Sequence, residues 1–109
     1  MNQLQQLMQM GQQMQARLSE MQTELAQKTV SGTSGGGMVT AVADGRGRIR
    51  EIKIEPSLVR PDDVEMLEDL ILAAVGDAQV KARGLYEEEL QRLTGGLLPW
   101  NLGSLFGGV

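Results

Sequence analysis

"GGGMVTAVADGRGRIREIKIEP", residues 35–56, decides how this chain folds. Three glycines open the stretch and a proline closes it, with an Asp-Gly pair between two runs rich in β-branched residues, "MVTAVA" and "GRIREIKIEP". Such runs favour strands, and Asp44-Gly45 suits the positive φ angles of a two-residue type I′ turn, so a β-hairpin is predicted. With that turn, Ala43 lies opposite Arg46, Ala41 opposite Arg48 and Val39 opposite Arg50. The arginines then share one face at a spacing of about 7 Å, and Met38, Thr40, Val42 and Ile49 share the other. Ile52 and Ile54 fall on the arginine face in this register. Either a bulge near Arg50 or Glu51 returns them to the apolar side, or the strand is apolar on both faces.

Upstream, "VSGTSGGGM" (residues 30–38) contains the GxxxxG spacing of a phosphate loop between Gly32 and Gly37. Met38 and Val39 stand where lysine and Ser/Thr would hold phosphate and magnesium, and a strand follows where a helix N-terminus is required. The strand signals on both sides leave little room for a free linker, since "KTVSGT" (residues 28–33) can itself extend as a short strand. The stretch reads as a strand-to-strand turn. Its glycines serve positive φ or the close approach of another backbone, including that of a second subunit.

Two helices flank the strands. From Leu4 onward, Leu7, Gly11, Met14, Leu18, Met21 and Leu25 alternate in steps of three and four, the seam of a coiled coil, which predicts a helix from about residue 2 to Lys28. The glutamines around it leave the other faces polar and nearly uncharged. A methionine stripe at this spacing is ordinary packing more often than a binding groove. Gly11 weakens the helix by about 1 kcal/mol relative to alanine. After Pro56, Asp62 is the predicted N-cap of a second helix with Glu65 as its reciprocal partner. Leu67, Leu70, Ile71, Ala74, Val75 and Ala78 form a broad apolar front that should cover the sheet. Beyond Gly84 the front narrows to Leu85, Tyr86, Leu90 and Leu93 beside an exposed run, Glu87 to Glu89, and Thr94-Gly95-Gly96 stops the helix. The expected architecture is α+β: long N-terminal helix, three-stranded antiparallel meander, long C-terminal helix. Residues 1–96 form one domain, and 97–109 a Gly- and Pro-containing tail whose apolar residues suit docking on a partner.

A 109-residue chain buries little of its own surface, so a partner chain is expected. The absence of cysteine and histidine removes disulfides, thiolate chemistry, most zinc sites and the usual general base. No catalytic, cofactor or metal residues are assigned, and no enzyme is expected; acidic pairs such as Asp62-Asp63 and Glu68-Asp69 fit helix starts and solvated faces. No stretch approaches the roughly 18 apolar residues of a spanning helix, so a soluble cytoplasmic protein without membrane contact is expected. The net charge of −4 is uneven: residues 29–61 carry five basic and three acidic side chains, residues 62–94 three basic and nine acidic.

Arg46, Arg48, Arg50 and Lys53 place four positive charges within eight residues. A row of guanidinium groups holds a phosphate backbone through charge-assisted hydrogen bonds. The same charges suit the solvated outer face of a sheet or an edge guarded against aggregation, and the residues alone do not choose. Neither aromatic interleaving nor a recognition-helix or zinc-finger signature is present, so backbone contacts with weak sequence preference are what such a site would make.

The order of a Met/Gln-rich helix, "VSGTSGGGMVTAVADGRGRIREIKIEPSLV", "DDVEMLEDLILAAVGDAQVKA" and "LTGG" resembles the YbaB/EbfC family of bacterial nucleoid-associated proteins. The resemblance implies a homodimer joined through its sheets, with helices projecting as arms, that binds double-stranded DNA in the nucleoid. It also implies roles in nucleoid organisation, gene regulation or recombination and repair, with repair proteins among the partners. Other members often carry lysines along the first helix, where this chain has glutamines and only Arg17. DNA contact accordingly shifts to Arg46, Arg48, Arg50 and Lys53, with Lys81 and Arg83 as further candidates. The alternative is a protein-binding scaffold or chaperone-like adaptor that uses the Met-rich arms and the apolar tail.

Overall fold

The computed structural model describes residues 2–94, in the order α1 (Asn2–Gln27), β1 (Thr29–Ser34), β2 (Val39–Asp44), β3 (Ile49–Ile54) and α2 (Val64–Thr94). The strands form one antiparallel sheet in the order β1-β2-β3, so the predicted helix, meander and helix are all present. The tail, residues 97–109, and the Gly95-Gly96 stop lie outside the described residues.

The hairpin differs from its predicted register. Asp44 and Gly45 do not form a two-residue loop: the Asp44 N–H donates to the Arg48 carbonyl at 2.9 Å and the Gly47 N–H to the Asp44 carbonyl at 2.9 Å. Gly45, Arg46 and Gly47 make a three-residue loop, closed by Gly47 in the left-handed region at φ 86°. Beyond it Ala43 faces Ile49, but Val42 faces Glu51, so Arg50 is the additional residue of a bulge. Of the two alternatives for Ile52 and Ile54, the bulge is the one that occurs. It places Ile54, Ile52 and Ile49 opposite Val39, Ala41 and Ala43 on one face.

That face, expected to carry the arginines, is the core face: Val39, Ala41 and Ala43 are fully buried. Met38, expected in the core, is exposed, and Thr40 and Val42 are half-buried on the other side. The reason lies in α2, which buries Ala74, Ala78 and Ala82, one small side chain per turn along a single stripe. Small residues on both surfaces let the helix lie low on β1 and β2. Gly32 completes the fit, because a Cβ there would collide with the Ala78 backbone nitrogen and the Ala74 carbonyl oxygen. Leu67, Leu70, Ile71 and Val75 pack around this centre as anticipated, together with Val30, Ile49, Ile54 and Leu58. The glycines that follow β1 serve the other purpose, since Gly35, Gly36 and Gly37 all turn the chain at positive φ.

Helix α2 begins at Val64, after a 3-10 turn over Pro61–Asp63. Asp62 lies inside that turn and not at the residue before the helix, a correction to its predicted capping position. Its charge and that of Asp63 still sit at the positive end of the helix dipole. Only Met21 and Leu25 of α1 are buried. Twenty-six residues extend about 39 Å, whereas a six-residue strand reaches about 20 Å, so most of α1 projects beyond the sheet. Leu4, Leu7, Met14 and Leu18 of the predicted seam are exposed, Leu4 at 64%.

Candidate nucleic-acid interface

The hairpin turn is held from both sides. The Gly45 N–H donates to the carbonyls of Leu25 at 2.8 Å and Lys28 at 3.0 Å, closing the C-terminal end of α1. From α2, the Gln79 side-chain amide donates to the Gly47 carbonyl at 3.3 Å. A loop docked on two helices presents its side chains at fixed positions.

Asp44 organises those side chains. One carboxylate oxygen accepts from the backbone N–H of Arg46 at 2.9 Å and of Arg48 at 3.1 Å. The other accepts the Arg50 guanidinium twice, from Nε at 3.0 Å and from the terminal nitrogen at 2.7 Å. Burial of Asp44, which is 1% exposed, disfavours its charge. The two backbone donors and Arg50 outweigh that, and the carboxyl is held below its ordinary value.

Of the predicted residues, Arg46, Arg48 and Arg50 meet around the turn, lining an open hollow of about 290 Å³ with Asp44 and Gly47. Their arrangement corrects the predicted comb: Arg46 is at the loop tip, Arg48 at its end and Arg50 in the bulge, so they do not alternate along one face of a regular strand. Arg46 and Arg48 are exposed and, among the described residues, form no ion pair. Arg83, from α2, reaches the same region, lining with Arg46, Gln22, Gln79 and Tyr86 a cleft of about 560 Å³ between turn and helices.

The other candidates are dispersed. Lys53 faces Thr40 on the side of the sheet away from α2 and pairs with Glu51 at 3.6 Å. Lys81 is committed to the fold, pairing with Asp77 at 3.2 Å and donating to the Ser31 carbonyl at 3.0 Å. Arg17 lines a separate hollow with Glu20, Glu24, Glu89 and Arg92. Glu89, expected in an exposed run, instead turns inward to Lys28 at 2.8 Å and Arg92 at 3.1 Å. The hydrogen bond from Lys28 lowers its carboxyl below the ordinary range against an opposing contribution from burial.

Sequence reasoning passed over Asp44, treated as a turn former only, and the cleft residues Gln79 and Tyr86. The signal for Asp44 was available, because an aspartate commonly accepts from the backbone N–H two residues on. Nothing local signals Gln79, which meets the turn only through the packing of α2. Among the described residues no helix is long and apolar enough to cross a membrane, and no group of His, Cys, Asp and Glu side chains could hold a metal ion.

Comparison with known proteins agrees with this fold. The sequence is 54% identical to a nucleoid-associated protein of Chloroflexus aurantiacus over 92 residues, 84% of this chain and 92% of that one. It is 52% identical to one from Caldanaerobacter subterraneus over 96 residues, 88% and 84% of the two chains. The crystal structure of an uncharacterized protein from Helicobacter pylori superposes with a TM-score of 0.68 at 25% identity, covering 85% of this chain and 94% of that one. The sequence profile of the YbaB/EbfC DNA-binding family matches residues 1–97, so the chain, with its helix, meander and helix, belongs to that family.

Proposed function

We propose that this protein binds double-stranded DNA as a homodimer in the nucleoid, chiefly through phosphate contacts made by Arg46 and Arg48 of the hairpin turn and by Arg83 beside it. The observation that carries the reading is the turn itself: two exposed guanidinium groups with no ion-pair partner among the described residues, on a loop fixed between two helices. The family and the nucleoid-associated relatives supply the ligand. A net charge of −4 opposes DNA over most of the surface, which leaves the turn as the favoured point of approach. Nucleoid organisation, gene regulation, and recombination or repair are the roles consistent with such a contact. For the dimer, support comes from the sheet edges. The Thr33 N–H and Ser31 carbonyl of β1 are engaged by Asp77 and Lys81, whereas β3 pairs with β2 alone among the described residues.

Three phosphate contacts per protomer give about six for the dimer. Duplex affinity should then fall roughly 10³-fold between 50 and 200 mM salt. Changing Arg46, Arg48 and Arg83 together to glutamine should flatten that dependence while light scattering still reports the wild-type mass. Undiminished binding by this variant would remove the assignment of these residues. A second reading, a protein-binding scaffold, is favoured by the exposed apolar residues Leu4, Leu7, Met8, Met10, Met14 and Leu18 of α1. Absence of duplex binding at low salt, with protein partners lost on making this helix face polar, would select it.

A further inference from the structure

We propose that Asp44 is the positioning residue of the DNA-binding turn, fixing Arg46 and Arg48 through one carboxylate oxygen and withholding Arg50 from phosphate through the other. The proposal rests on the DNA reading above and deepens it, because it divides three neighbouring arginines into two whose charges are free for the ligand and one whose charge is already paired.

The division follows from the geometry. The oxygen that accepts the backbone N–H groups of Arg46 and Arg48 bridges the two residues on either side of Gly47, so loop shape and side-chain placement depend on one atom. The second oxygen receives two Arg50 nitrogens, at 2.7 and 3.0 Å, and is shielded from water on the buried Asp44 side chain. The Arg50 side chain is half-exposed and keeps further N–H donors, but that oxygen neutralises its charge, so a phosphate meets an ion pair there, and drawing the guanidinium away would strand a buried carboxylate without its charge partner. The bulge supports the same assignment. Insertion of Arg50 as the unpaired residue of β3 brings its side chain back toward Asp44, six residues earlier, instead of along the ladder. Arg46 and Arg48 are tied through backbone groups alone among the described residues, which leaves both guanidinium groups available to ligand.

Asparagine at position 44 separates the two functions. Its carbonyl oxygen still accepts from the Arg46 and Arg48 N–H groups, but its amide offers nothing to a guanidinium. In Asp44→Asn the salt dependence of binding to a random-sequence duplex should therefore steepen by about one unit per protomer, with tighter binding at low salt, as Arg50 becomes a phosphate contact. Adding Arg50→Gln to Asp44→Asn should restore the wild-type slope, whereas Arg46→Gln or Arg48→Gln lowers it by about one unit per protomer. A merely structural Asp44 would weaken binding in every variant. Without DNA, amide hydrogen exchange at Arg46 and Arg48 should remain slow in Asp44→Asn and become fast in Asp44→Ala, and the Arg50 Nε–H should exchange faster in both. The proposal is overturned by a slope that stays steep in the double variant, by an unchanged slope in Asp44→Asn, or by loss of Arg46 and Arg48 protection in Asp44→Asn. If the wild type binds no duplex at low salt, it is the DNA reading that fails. The exchange rates, measured on free protein, then decide whether Asp44 fixes the turn and holds Arg50.

Discussion

Glycine has two separate uses in this chain, and the hairpin turn holds one of each. Gly47 supplies the left-handed backbone that closes the loop. Gly45 has no positive φ; it is needed because a Cβ would come within 2.7 Å of the Leu25 carbonyl oxygen, and only a bare backbone lets the turn close the end of α1. In the sequence both uses look alike, which is why Asp44-Gly45 read as a type I′ pair. The acidic groups add a pH dependence. The Thr33 N–H and then Lys81 lower Asp77, Lys28 lowers Glu89, and the turn lowers Asp44 against its own burial. A carboxyl depressed in the folded state stabilises it above the unfolded value, and that contribution is lost as pH falls through the lower folded value. The thermal midpoint should thus be level near neutrality and decline below the ordinary carboxyl values of 3.8 and 4.5. Glu89→Gln should lower the neutral-pH midpoint and make the acid decline shallower, as read by circular dichroism melts across that range. An acid limb identical to wild type would deny Glu89 its part.

At the scale of elements, the contact of α2 with β1 is a match of small residues. Ala74 and Ala78 face Gly32 backbone to backbone, so Gly32→Ala pushes a methyl into α2 and should destabilise the fold by about 3 kcal/mol. Gly36→Ala meets no atom within 4 Å but keeps a residue at φ 67°, and should cost about 1 kcal/mol. Urea denaturation of the two variants checks the order; a Gly36 loss larger than the Gly32 loss would contradict the packing described. The apolar spacing of α2 was legible because its helical period does not depend on what it covers. The inward face of β2 was not, since Val39, Ala41 and Ala43 alternate with Thr40 and Val42 and either set is apolar enough to be the core. The spacing of Ile49, Ile52 and Ile54 left open a bulge near Arg50 or Glu51 and a strand apolar on both faces; the fold takes the bulge at Arg50, whose side chain meets Asp44 across the hairpin.

The described part of the molecule is drawn out, with extents of 72 × 29 × 16 Å and a radius of gyration of 19.6 Å against about 13 Å for a compact domain of similar length. Its two helices outrun the sheet, and the seam of α1 is exposed over most of its length among the described residues. Because the proposed dimer joins through the sheets, changing Leu7, Met14 and Leu18 together to glutamine should leave both the thermal midpoint and the dimer mass unchanged, as measured by calorimetry and light scattering. A monomer would place the subunit contact on α1 instead. The sequence by itself determined the elements, their order and the hairpin, since helical period, β-branching and glycine-marked turns are properties of neighbouring residues. It also determined where positive charge is concentrated, and the motifs that resemble the family. Only the tertiary structure decided which face of the sheet is inside, because that depends on how closely Ala74, Ala78 and Ala82 can approach Gly32 and β2. Packing likewise decided which arginine is paired, because a guanidinium is neutralised according to the carboxylate the fold brings beside it: Arg50, in the bulge, meets Asp44, while Arg46 and Arg48 form no ion pair among the described residues.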